Sequence, residues 1–187
     1  VEVTPQHLTL AAPECYEELG TQAQMNPPIR SAEHREALWR AVASGLVDVV
    51  GSDHAPHTAD EKARAYPDSP SGMPGVQTLL PLLLDHHHAG RVSLTRIVDL
   101  VSAGPARIYG AAGKGRLAAG YDADLTLVDL ERRKRIEADW LASRCGWSPF
   151  EGRTVRGWPM GTVVRGELVM LDGERLGSPI GRPVRFH

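Results

Sequence analysis

LVDVVGSD, residues 46–53, runs apolar side chains almost without a break into a glycine, a serine and an aspartate. Alternation would mark a strand with one wet face; a near-continuous run fits a strand buried on both faces, as in parallel sheets. Such a strand places Asp53 at its C-terminal end. In α/β barrels and open parallel sheets, catalytic groups collect at that edge. The octapeptide GSDHAPHT, 51–58, adds His54 and His57. A carboxylate there suits a metal ligand or a general base, and it equally suits a residue capping a proline-containing turn.

The flanking sequence supplies the layers. VEV, 1–3, is a short β-branched strand stopped by Pro5, and TQAQMN, 21–26, reads as a second strand ended by Pro27-Pro28. SAEHREALWRAVASG, 31–45, reads as a helix with Ser31 as N-cap, an apolar stripe of Leu38, Ala41 and Val42, and a stop at Gly45. Residues 58–74 are a Pro-, Ser- and Gly-rich loop. VQTLLPLLLDHHHAG, 76–90, follows as a helix with Pro81 early in it. SLTRIVDLVSAGPARIYG, 93–110, is a further helix or helical pair, with Ser93 as N-cap and Ile97, Leu100 and Val101 on one face. Strands alternating with helices define an α/β layered or barrel architecture, and three strands are too few to close a barrel of eight.

Beyond Gly110 the texture changes to glycine turns and strands. Leu125, Leu127 and Leu130 alternate, and strand patterns at 162–165 and 167–171 meet at Gly166. This reads as a small β module, so the expected division is 1–112 and 113–187.

Composition bounds the function. Of the 187 residues, 42% are hydrophobic and 24% charged, which excludes wholesale disorder. A net charge of −2 without a basic block argues against a nucleic-acid partner. No apolar stretch reaches the roughly 20 residues of a membrane span. Cys15 and Cys145 match no CxxC pattern, so reduced thiols and a cytoplasmic location are expected. The chain starts on a strand without an initiator methionine, so upstream sequence is expected.

Three residues share the strand-end address. His7 follows the first strand and Asn26 ends the second, as Asp53 ends the third. Imidazole is a common zinc ligand, and a rigidly held amide suits a small polar ligand. The run His86, His87 and His88 is set aside, because consecutive helical residues diverge by about 100° and do not converge on one ion. No GxSxG elbow, P-loop or GxGxxG fingerprint is present.

VTPQHL, MNPPIR, GSDHAPHTADEK and SGMPGVQTLLPLLL, in this order, with SAGPARIYG, GYDADLTLVDL, SPFEG and TVVRGELV, resemble the C-terminal half of the dihydroorotase branch of the metal-dependent amidohydrolase superfamily. MNPPIR and SDHAPH are the specific part; the β tail is shared across the superfamily. The resemblance implies strands six to eight of a TIM-type barrel plus part of a β-sandwich. It implies one or two Zn²⁺ ions, which lower the pKa of a bound water to about 7. It places His7 as the zinc ligand after strand six and Asp53 as metal ligand and catalytic acid/base. Asn26 and His57 would hold the substrate, His57 on its carboxylate, while Ser71 and Gly72 close over the ring. The implied reaction interconverts dihydroorotate and N-carbamoyl-aspartate in pyrimidine synthesis. The family's usual dimeric or larger state is carried over with no interface residue identified. Its HxH pair, bridging ligand and substrate arginine would lie upstream, so residues 1–187 alone are expected to be inactive and poorly folded as a barrel. Two alternatives stand beside this reading: an allantoinase or hydantoinase, and a non-enzymatic homologue serving as a structural partner.

Overall fold

The computed structural model describes residues 1–187. Its first sheet is minimal. β1 (Glu2–Val3) pairs in parallel with β2 (Val49–Val50), with Glu2 opposite Val49 and Val3 opposite Val50. Val3, Val49 and Val50 are all buried, as the apolar run at 46–50 requires. The 45-residue crossover holds α1 (Pro5–Thr9), α2 (Glu14–Leu19) and α3 (Ala32–Ala43). α3 occupies the expected span, and its Trp39 donates from Nε1 to the Leu8 carbonyl at 2.9 Å. Ser31 occupies the N-cap position, but its hydroxyl bonds to Nδ1 of His34 instead of a helix N–H.

The expected strand over 21–26 does not form. Residues Gly20–Ala23 make a single 3₁₀ turn, and Gln24 is extended without a ladder partner strand. Its carbonyl instead accepts from the Gly72 N–H at 2.9 Å, so a loop segment takes the place of a strand. This corrects the three-strand expectation in a second way. In a closed barrel, consecutive strands are neighbours, so a sixth and an eighth strand are separated by the seventh. β1 and β2 are hydrogen-bonded to each other directly, with no strand between them.

The loop 58–74 contains one turn of helix, α4 (Ala59–Lys62), stabilised by a capping box between Thr58 and Glu61. α5 (Leu79–His88) has Pro81 in its first turn, where an absent N–H leaves no helical bond unmade. α6 (Leu94–Val98), capped by the Ser93 hydroxyl, runs through a π turn at Asp99–Ala103 into α7 (Gly104–Ile108). Pro105, which has no N–H to give, sits at this junction.

The second sheet is an antiparallel meander in the order β3 (Leu125–Arg135), β4 (Thr154–Val164), β5 (Glu167–Leu171), β6 (Glu174–Arg175). β4 and β5 are joined by Arg165 and Gly166, both at positive φ, as a two-residue hairpin turn matched to strand twist demands. α5 lies between the two parts of the molecule. Leu83 packs with Val3, Leu8, Trp39, Val42 and Val50, whereas Leu82 packs with Ile136, Phe150, Val155 and Trp158. A helix apolar on more than one face is a buried helix. Gly157 makes the approach of β4 possible: a Cβ there would lie 2.6 Å from the Leu84 Cβ.

Candidate active site

The strand ends are tied to each other by side chains, because two residues of ladder fix little. Thr4 caps α1, accepting from the His7 N–H at 3.3 Å, with Pro5 in the first turn. The wholly buried Gln6 then donates from Nε2 to the Ser52 carbonyl at 2.9 Å, joining the residues after β1 to those after β2. Asp53, one residue on, has φ 43°, in the left-handed region that Asp tolerates better than most side chains. Its carboxylate is exposed. His54 faces away from it: its Nδ1 accepts from the Gly75 N–H at 3.1 Å, so this ring secures the loop.

Asp53, His7 and Asn26 line one cleft of about 530 Å³, together with Arg30, His34 and Arg35. Asn26 also borders a second cleft of about 640 Å³, whose wall includes Gln24, Tyr66 and Ser71. The loop 71–73 runs between the two edges, with Met73 in an isolated parallel bridge to His54. Gly72 N–H donates to the Gln24 carbonyl at 2.9 Å, and Ala55 N–H donates to the Met73 carbonyl at 3.1 Å. Gly72, at φ 127°, is pressed against the strand end: a Cβ would lie 2.8 Å from both the Ala55 Cβ and carbonyl oxygen, and 3.3 Å from His57 Nε2. His57 lines neither cleft. Its Nε2 donates to the Ser71 carbonyl at 3.1 Å, and its Nδ1 lies 3.8 Å from the Glu61 carboxylate. Asn26, Asp53 and His7 are therefore brought together, Ser71 and Gly72 adjoin Asn26, and His57 sits behind the loop.

The metal expectation has a geometric problem at His7. Nε2 donates to the Pro27 carbonyl at 2.9 Å, which leaves Nδ1 to accept from the Thr4 hydroxyl at 2.7 Å. Both ring nitrogens are engaged. No group of three or more His, Cys, Asp or Glu side chains in the chain is arranged to hold a metal ion. A structural or catalytic zinc takes three or four protein ligands, and these residues do not make up that set. The three helical histidines go separate ways, as anticipated: His86 to Thr9 at 2.9 Å, His87 to the Val92 carbonyl, His88 to the Leu130 carbonyl.

Sequence reading passed over Gln6, Gln24, Arg30 and Lys62. Arg30 was within reach as the last residue of MNPPIR. Lys62 was not, because a lysine beside Glu61 in a charged loop reads as solvated.

The chain thus carries a parallel strand pair with an acidic residue beyond its end and beside a cleft, followed by a small antiparallel module. The Amidohydrolase family model matches residues 4–169, and the chain belongs to the amidohydrolase family. Among its relatives, a dihydroorotase of Halobacterium salinarum is 49% identical over 184 residues, covering 98% of this chain and 43% of that protein. A dihydroorotase of Pyrococcus furiosus is 40% identical over 183 residues, covering 98% and 42%. Among solved structures, an L-hydantoinase (dihydropyrimidinase) from Arthrobacter aurescens superposes with a TM-score of 0.90 at 36% identity, covering 94% of this chain and 40% of that one. The chain thus spans about two fifths of the length of the curated relatives it matches.

Proposed function

We propose that the protein to which these residues belong is a dihydroorotase, opening the cyclic amide of dihydroorotate to N-carbamoyl-aspartate and closing it again. The observation that carries this is Asp53, held at the end of β2 with its carboxylate open to the cleft that Asn26 and Arg30 also line. The identities of 40% and 49% to dihydroorotases support the choice among cyclic amides.

In this reading Asp53 is the general base and acid. It takes a proton from the attacking water and gives it to the leaving amide nitrogen, one group serving both steps because it lies between them. Asn26 offers an amide donor and acceptor to the ring from one side, and the backbone at Ser71 and Gly72 borders it from the other. The role of His57 on the substrate carboxylate rests on the resemblance alone; in this structure its Nε2 is bonded to the Ser71 carbonyl behind the loop. Arg30, on the wall beside Asp53, adds a cation suited to the same charge. The bound zinc of the resemblance would take Asp53 as one ligand and its others from the length of the relatives that this chain does not span; no step here runs through it. His7 becomes a brace of the Pro27 turn instead of a ligand.

The same reading takes β1 and β2 as the seventh and eighth strands of a TIM-type barrel, with residues 1–112 as barrel and 113–187 as sandwich portion. The test is turnover by the full-length gene product of dihydroorotate, hydantoin and allantoin side by side. Preferred hydrolysis of dihydroorotate is expected. Preference for hydantoin would move the assignment to the hydantoinase side, and no turnover of any of the three would sink it.

A further inference from the structure

Lys62 is 1% exposed and heads the largest fully buried side chains of the molecule. Burying an ammonium is costly unless every proton is placed, yet no carboxylate pairs with it. The adjacent Glu61 is turned away by the capping box, its carboxylate accepting from the Thr58 N–H at 2.8 Å and the Thr58 hydroxyl at 3.0 Å. The Lys62 Nζ instead donates to two backbone carbonyls, Gln24 at 3.1 Å and Pro70 at 2.8 Å. Burial pushes its pKa below the ordinary lysine value.

The two carbonyls belong to different walls. Gln24 is two residues before Asn26, and Pro70 is the residue before Ser71. The other end of Lys62 repeats the pattern: its own carbonyl accepts from the Thr21 hydroxyl and, at 3.3 Å, from the Ser69 hydroxyl. Gln24 reinforces the join by donating from Nε2 to the Ser69 carbonyl at 2.9 Å. One residue is therefore bonded at both ends to both segments, and no regular ladder does this task. A surface lysine would gain nothing from such an arrangement.

We propose that Lys62 is a positioning residue that sets the separation between the Asn26 wall and the Ser71–Gly72 wall of the substrate cleft. It does so by cross-linking their backbones through its ammonium and its carbonyl. The proposal rests on the dihydroorotase reading for its substrate, though not for its geometry. A neutral methionine fills the volume but leaves the Pro70 carbonyl without this donor and the Gln24 carbonyl with one donor fewer.

The experiment uses the full-length protein and its Lys62→Met and Lys62→Gln variants. With dihydroorotate, KM is expected to rise about tenfold in Lys62→Met while kcat stays within about threefold, the pattern of lost substrate positioning. Lys62→Gln, which keeps a donor, falls between. Amide hydrogen exchange is the second readout: faster exchange confined to residues 20–26 and 69–73 is expected. An unchanged KM, or loss of kcat alone, overturns the proposal, as does exchange that rises uniformly over the chain. If the wild type turns over no dihydroorotate, the functional reading fails while the exchange measurement still decides the role of Lys62. If neither variant folds, exchange in the wild type decides: the two segments opening together supports the cross-link, and protection differing by more than about 100-fold overturns it.

Discussion

The two sheets of this chain are built on opposite economies. β1 and β2 share two paired positions each, while β3 and β4 run for eleven residues apiece along an antiparallel ladder. The meander is held by ladder bonds: β4–β5 and β5–β6 are tight hairpins, and β3 pairs with β4 across residues 136–153. The parallel pair is held by what surrounds it: buried valines, α3 and α5 packed on it, and side chains that reach across the loops. Gln6, His54 and Lys62 each bond a backbone group of another segment. The candidate chemistry sits on the region with the fewest ladder bonds. Strand ends free of ladder partners leave backbone and side chains available for a substrate, and long-range side-chain bonds restore the rigidity.

That contrast is exposed to measurement. The largest expected effect is Asp53→Asn in the full-length protein. Asn tolerates the positive φ at this position, so the fold should stand while kcat on dihydroorotate falls by about 10³-fold, the range of a lost general acid–base group. A comparable loss from Arg132→Ala on the meander would break the distinction. Next come the neighbouring leucines of α5. Leu83→Ala and Leu82→Ala should each cost about 2–5 kcal/mol in urea unfolding. They should differ in place, with amide exchange rising at Val50 for the first and at Val155 for the second. Identical exchange maps would mean that α5 couples the two cores into one.

The third effect is a pH dependence of folding. Burial, reinforced by the nearby Arg153 charge, lowers the His86 pKa from 6.5 to about 4. The native state keeps this ring neutral where the unfolded chain takes up a proton. Stability from this group is therefore complete above about pH 6.5 and is lost as pH falls towards 4, by about 3 kcal/mol at most. Urea midpoints across pH 4–7 should flatten in His86→Gln; an unchanged slope would assign the acid lability to other groups.

How much of this was legible in the sequence follows the same divide. The stretches with strong local signals came through: the α3 helix, the β-turn at Gly166, the helix with Pro81 in its first turn, and Asp53 at the end of a buried strand. The segment 21–26 misled, because its β-like composition is overridden by a 3₁₀ turn and by the Gly72 N–H, 48 residues further on, which donates to the Gln24 carbonyl. The expected strand numbering placed 21–26 between β1 and β2, and those two strands pair directly. His7 and Asp53 were placed on one rim as strand-end residues, and Asn26 lines the same cleft although 21–26 is not a strand. Lys62 and Gln24 stayed hidden, since their partners are carbonyls of distant segments and no sequence pattern encodes a long-range bond to backbone.

Gly72 has a consequence for anyone wishing to reshape the proposed substrate cleft. With the Ala55 Cβ and carbonyl oxygen each 2.8 Å from where a side chain would start, position 72 has no vocabulary of side chains to draw on. A mutational library there would return mostly collapsed loops. Diversity placed at Tyr66, which is 77% exposed and borders the same cleft as Asn26 and Ser71, would explore substrate shape while leaving the loop's seat intact.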